Sequence, residues 1–275
     1  CVSSFNKGAE RIFGYASAEV IGRNVSMLMP SPHREAHDGY LARYLAGGPS
    51  RVIGINRKTS GQRCNGEVFP IQINVTQVEG ARGHQFIGLI RDLSSEEAAH
   101  RRIEFLALHD VLTSLPNRAQ FNDVITIACA NAAQNPCALL FLDLDGFKPI
   151  NDSFGHEAGD EALITIAKRL RHTLAAQDFV GRLGGDEFVV ILNDVSNPDD
   201  ACAVARRLLD NIAQPMNLLG NPCRLGASIG AALIPAHGDS PTAALTAADN
   251  AMYAAKRAGK NCVLLATPGK RNQGQ

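Results

Sequence analysis

Two short apolar runs that end in carboxylates constrain this chain more than anything else in it. Ala138–Leu144 is apolar except for Asp143, and Asp145 follows directly. Further along, Gly184-Gly185 leads through Asp186-Glu187 into a second apolar run, Phe188–Leu192. Runs of this length and make-up are buried strands. An acidic side chain at the end of such a strand is costly unless something positive faces it. Brought together by one sheet, the two clusters make an oxygen-donor site suited to Mg²⁺, which completes its shell with water and phosphate oxygens. The paired glycines remove every Cβ from the turn, so a nucleotide can lie against its backbone. Gly-Gly-Asp also occurs in plain hairpins, and the residues alone leave that reading open.

The same half of the chain mixes strand and helix patterns. Asp160–Leu174 carries Leu163, Ile166, Ala167, Leu170 and Leu174 on one side of a helix. Ala201–Ile212 predicts another helix, Arg224–Ile234 a strand containing Gly226 and Gly230, and Pro241–Ala258 a closing helical region. Such a mixture argues for an α/β or α+β sheet with helices packed on it.

The first part differs in texture, being rich in Gly and Arg with strand-like runs at Arg51–Asn56, Val68–Gln77 and Gln85–Asp92. Ile71, Ile73 and Val75 alternate with Gln72, Asn74 and Thr76, the period of a half-buried antiparallel strand. Between the parts, Ser94-Ser95-Glu96-Glu97 is a capping box that starts a helix. Ala99, Ile103 and Leu106 give that helix one narrow apolar seam, suited to pairing with its copy in a second chain. Packing on its own domain is the other reading. The expected divisions are 1–93, a linker helix over 94–106, a second domain over 107–268 and a tail over 269–275.

Lys plus Arg equals Asp plus Glu at 27 each, so no bulk attraction to nucleic acid is expected. No apolar run reaches the roughly 18 residues that span a bilayer, and none reads as a secretory h-region. The seven cysteines are scattered without CxxC spacing and read as reduced thiols in cytoplasm. The chain opens on Cys1 without an initiator Met, so it reads as a piece of a longer protein, one in which upstream membrane tethering stays open.

Three motifs then carry a resemblance. Phe141-Leu-Asp-Leu-Asp-Gly-Phe-Lys148, Ile150-Asn-Asp-Ser-Phe-Gly-His-Glu-Ala-Gly-Asp160 and Arg182-Leu-Gly-Gly-Asp-Glu-Phe188 resemble the GGDEF family of diguanylate cyclases. His109-Asp-Val-Leu-Thr-Ser-Leu-Pro-Asn-Arg118 looks like that family's opening motif, with Ser114 where Gly is usual, and Ala251–Asn261 looks like its closing helix. The resemblance implies a polymerase-palm-like sheet surrounded by helices, and the joining of two GTP into cyclic di-GMP and two diphosphates by a homodimer. It implies that Asp143, Asp186 and the Leu144 carbonyl hold Mg²⁺ or Mn²⁺. Asp186 and Glu187 are the catalytic pair, Glu187 taking a second metal and helping to deprotonate the ribose 3′-hydroxyl. Asn151 and Asp160 read the guanine edge, Gly184 and Gly185 admit the nucleotide, and Lys148, Lys256 and Lys260 contact the triphosphate. For Asp145 and His156, local structural hydrogen bonding is the better reading. The family's inhibitory Arg-x-x-Asp stretch is Ala175-Ala176-Gln177-Asp178 here, so that product site is degenerate. The alternative function is a GTP-binding regulatory module controlling a phosphodiesterase domain.

At the other end, Phe5–Tyr15 followed by Glu19-Val-Ile-Gly22 resembles a PAS sensor domain, an antiparallel sheet with flanking helices, whose usual first strand is missing. Asp92 in Arg91-Asp-Leu-Ser94 matches the motif that hands such a domain over to an output helix. Met29–Tyr40, the run from Arg51 to Arg57, and Phe69-Pro70 look like FixL-type haem sensors. That similarity implies haem b with His37 as the iron ligand, Arg57 as the distal residue, and Val52, Ile73 and Val75 lining the pocket. Cys64-Asn65 departs from that pattern, and an empty or differently liganded pocket remains the other reading.

Overall fold

The computed structural model describes residues 1–49, 53–80 and 83–267. The chain divides into two compact units, the first over Cys1–Ile103 and the second starting at Glu104.

In the first unit, helices α1 (Lys7–Phe13), α2 (Ser17–Val20) and α3 (His33–Leu45) precede strands β1 (Arg57–Gln62), β2 (Val68–Gly80) and β3 (Gly83–Asp92). The strands form an antiparallel sheet in chain order. Asn6 caps α1 by accepting the Ala9 N–H at 2.9 Å, and Gly14, at φ +75°, ends it. This sets Phe13 into a small core with Leu28, Phe69 and Ile71, its ring edge-on to Phe69 at 5.6 Å. Arg63 stacks its guanidinium on Phe69, 3.7 Å from the ring centre, and pairs with Asp92 at 2.8 Å.

Helix α4 (Ser94–Leu108) follows and carries the chain from the first unit into the second. Its start differs from the expected capping box. The Glu97 N–H bonds the Leu93 carbonyl, and the carboxylate of Asp92 takes the Ser94 N–H at 2.8 Å. The Leu93 carbonyl thus takes the N–H that the Ser94 hydroxyl would have accepted, and Asp92 takes the one that the Glu97 carboxylate would have accepted. The strand expected over Arg51–Asn56 is also absent among the described residues. Arg51 and Val52 lie outside them, Ile53 makes one bridge to Val75, and Gly54 turns the chain at φ +75°.

The second unit contains α5 (Arg118–Asn131), β4 (Cys137–Asp145), α6 (Phe147–Phe154), α7 (His156–Thr173), β5 (Phe179–Gly184), β6 (Glu187–Leu192) and α8 (Pro198–Ile212). The hairpin β7 (Met216–Leu218) and β8 (Asn221–Cys223) follows, then β9 (Gly226–Ile234), α9 (Pro241–Arg257) and β10 (Val263–Leu265). Five strands form a sheet in the order β10-β9-β4-β6-β5, antiparallel except for the β10–β9 pair. Strand β4 is central, and its side chains alternate between two cores. Ala138, Leu140, Leu142 and Leu144 meet Leu163, Ile166 and Leu170 of α7 and Leu208 of α8. Leu139 and Phe141 meet Phe121 and Ile125 of α5 and Ala248 and Met252 of α9. Glycine at 230 lets α9 lie directly on β9, where a Cβ would meet the helix backbone.

Period-two alternation therefore fixes where the acids go. Asp143 and Asp145 continue the α5/α9 face of β4. Counting back from Val189 and Ile191 places Glu187 on the same face, and counting back from Ala232 and Ile234 does the same for Ser228.

Candidate active site

Asp143 stands directly opposite Glu187 in the β4–β6 ladder and opposite Ser228 in the β4–β9 ladder. The ladder reaches the turn itself, because the Leu144 N–H donates to the Asp186 carbonyl at 3.2 Å. Gly184 and Gly185 have φ of +147° and +53°, and nothing lies within 4 Å of where a Cβ on either would sit. The space over the turn is thus open, as a turn that admits a ligand to its backbone requires.

Each of two acids already has a cation beside it. Lys256, in the last turn of α9, binds Asp143 at 2.7 Å, and Arg118, at the start of α5, lies 3.7 Å from Glu187. Burial pushes the carboxyls of Asp143 and Glu187 above the ordinary range, and nearby carboxylates add to the rise in both, while these two cations pull the other way. Such a cluster favours a positive charge. Among the described residues no three His, Cys, Asp or Glu side chains come together as a closed metal cage. The donor set fits a hard divalent cation held by one or two carboxylates and finished by phosphate oxygens, rather than a structural metal.

The turn has a support that the sequence reading assigned no role. Arg182 donates through Nε and Nη2 to the Gly185 carbonyl, at 3.0 and 2.7 Å, and through Nη1 to Asp110 at 2.9 Å. Asp110 also accepts from the Thr113 N–H and Oγ1, at 2.8 and 2.6 Å. Burial alone would raise the Asp110 carboxyl, but these hydrogen bonds and the Arg182 charge hold it below its ordinary value. Ser114, closing that turn, sits at φ +58°, the left-handed region that favours glycine. Asn117 then caps α5 and donates to the Ala107 carbonyl in α4 at 2.9 Å. The only signals for Arg182 and Asp110 in the sequence are their places inside the two motifs.

The predicted base-reading residues meet at the α6–α7 corner. Helix α6 begins just past β4, after Gly146 at φ +82°, and Gly155, at φ +84°, turns the chain back into α7. This turn starts α7 a turn earlier than the apolar stripe suggests. The Asn151 side chain crosses Gly159, where a Cβ would collide with its Oδ1, next to the exposed Asp160. Lys148 and Lys260 are exposed, on α6 and past the end of α9. In the degenerate stretch, Asp178 accepts from the Ala175 and Asn193 N–H groups at 3.1 and 3.2 Å, a bond set that shapes the turn between α7 and β5.

The haem reading gains no support. Helix α3 buries none of its residues, and the His37 Nδ1 lies 3.3 Å from its neighbour Asp38. Arg57 is exposed, Ile73 and Val75 are half-buried, and Val52 falls outside the described residues. A closed apolar wall around a haem is not formed by these groups.

A family model for the GGDEF domain of diguanylate cyclases matches residues 107–262, and one for the PAS fold matches residues 1–93. The chain belongs to the GGDEF family. This GGDEF protein is 44% identical over 165 residues to the bifunctional diguanylate cyclase/cyclic di-GMP phosphodiesterase MucR of Pseudomonas aeruginosa, covering 59% of this chain and 24% of MucR. It is 41% identical over 191 residues to diguanylate cyclase TpbB of the same organism, covering 67% of this chain and 44% of TpbB. The solved GGDEF domain of TpbB matches with a TM-score of 0.56 at 44% identity, over 58% of this chain and 94% of that one. The chain thus spans less than half the length of either curated relative. No helix among the described residues is long and apolar enough to cross a membrane.

Proposed function

We propose that this chain is a PAS-regulated diguanylate cyclase that joins two GTP into cyclic di-GMP. The observation that carries the reading is the face-to-face pair of Asp143 and Glu187, with Asp186 tied to the same ladder, beneath an open glycine turn. Asp143, Asp186 and the Leu144 carbonyl are the donors for one divalent cation, and Glu187 for a second. Bound there, Mg²⁺ or Mn²⁺ supplies charge neutralisation for an in-line attack of a 3′-hydroxyl on an α-phosphate.

The chain's own residues do the rest. Lys256, beside Asp143 at 2.7 Å, contacts the triphosphate, joined by Lys148 and Lys260. Asn151 and Asp160 hydrogen-bond the guanine edge, and a base that cannot match a built polar site is strongly rejected. Glu187, whose carboxyl is raised by burial, assists removal of the 3′-proton. One domain holds one GTP, so two chains face each other antiparallel, and catalysis is chiefly positioning. The PAS domain and a linker helix over 94–106 set that arrangement. Without the inhibitory Arg, product binding at Ala175–Asp178 is weak.

The test is turnover of GTP with Mg²⁺, followed by chromatography at several protein concentrations. Cyclic di-GMP should appear with a rate per chain that rises with concentration, and Asp186→Ala should abolish it. The bifunctional name of MucR favours a second reading, a GTP-binding module that controls a phosphodiesterase. GTP binding without product, in a dimeric sample, decides for that one.

A further inference from the structure

Asp145 has no place in the chemistry above, yet it is tied to two elements beside it. Its two oxygens accept the Ser228 hydroxyl, each at 3.0 Å, and Oδ2 also accepts the backbone N–H of Asn261 at 2.9 Å. Ser228 is fully buried, and apart from Asp143 it is the one polar residue among the buried side chains of the described residues. A hydroxyl there is justified only by a strong acceptor. Asn261 belongs to the turn that follows α9, and that turn has an uncommon backbone. Lys260 and Asn261 are both left-handed, at φ +64° and +46°, although neither is glycine. Two consecutive residues in that region need outside support. That support comes from the Lys260 N–H bonded to the Ala255 carbonyl at 3.1 Å and the Asn261 N–H bonded to Asp145. The glycine at 226, paired with Asp145 across β4 and β9, leaves room for the Asn261 side chain, where a Cβ would come within 2.8 Å of its Oδ1.

We propose that Asp145 is a positioning residue: it fastens the left-handed Lys260–Asn261 turn to the end of the strand that carries Asp143, and so fixes where Lys260 presents its ammonium to the substrate triphosphate. The role rests on the cyclase reading. It also explains why an acid at 145 is useful even though it is engaged with Ser228 and Asn261 rather than with a cation. Charge-assisted bonds hold the turn more firmly than neutral ones could.

The experiment measures binding of 3′-deoxy-GTP with Mg²⁺ to the full chain, a ligand that lacks the attacking hydroxyl. Wild type, Asp145→Ala, Lys260→Ala and the double variant make a cycle. Lys260→Ala should weaken binding about tenfold in the wild-type background, the usual scale for one charge-assisted contact, and less than about twofold once Asp145 is gone. Asp145→Asn, which keeps one acceptor, should fall between wild type and Asp145→Ala. In turnover the Asp145 variants should raise KM more than they lower kcat. If Asp145→Ala does not fold, Ser228→Ala replaces it in the cycle. Fully additive losses overturn the proposal, since a generally weakened fold would not silence Lys260. A wild-type chain that binds 3′-deoxy-GTP but makes no product overturns the cyclase reading and leaves this cycle measurable; one that binds none overturns both.

Discussion

His237 shows how one side chain can make stability depend on pH. Its Nδ1 accepts the Leu233 N–H at 2.8 Å, which requires the neutral ring, and burial lowers its pKa below the ordinary 6.5. The unfolded chain binds the proton more readily, so this contribution is complete above about pH 6.5 and is lost as pH falls below it. We expect the wild-type melting temperature to drop between pH 7.5 and 5.5 by more than that of His237→Ala, whose own value is lower at pH 7.5. Asp143 and Glu187 have raised carboxyls and act in the opposite direction, but they are common to both proteins and cancel in the comparison. Equal drops in the two melting curves would remove His237 from the account.

At the scale of elements, the Gly184–Gly185 turn depends on a residue outside it. The Arg182 side chain is only 10% exposed and bridges Asp110 to the Gly185 carbonyl, so it joins the opening motif to β5 and β6. Arg182→Ala should cost about 2–3 kcal/mol, because it strands a partly buried carboxylate, and should lower cyclic di-GMP formation at least about tenfold. Arg182→Lys should recover part of the stability and little of the activity, since an ammonium cannot reproduce the two-pronged geometry. Chemical denaturation and turnover of the same three proteins check both halves. The strands that build this site were legible because burial on both faces demands apolar runs such as Leu139–Leu142, and only function explains acids in them. The α7 stripe was equally plain. Local bonding at helix starts was less legible: Asp92 and the Leu93 carbonyl took the N–H groups at the start of α4, and Gly155 moved the start of α7. The role of Asp145 was hidden for another reason. It depends on Ser228 and Asn261, which are far away in sequence and adjacent only across the sheet.

At the scale of the whole molecule, the seam on α4 has no evident use within a single chain. Ile103 is 64% exposed and Leu106 41%, and the helix buries none of its residues. Apolar groups at helical spacing, left in water, gain by meeting a second copy. On the cyclase reading proposed above, two catalytic halves must also come together, each holding one substrate. Replacing Ile103 and Leu106 together by Gln should therefore leave the melting temperature at low concentration within about 2 °C, because neither side chain is buried, and surface changes of this kind stay near 0.5 kcal/mol. The same variant should need at least about tenfold more protein to reach half its maximal rate per chain, on the scale of one to two kcal/mol for two interfacial side chains. Activity plotted against concentration, beside sedimentation of the two proteins, separates the outcomes. A curve that does not move would mean that α4 only spans the two domains, and that the contacts which join two chains lie elsewhere on them.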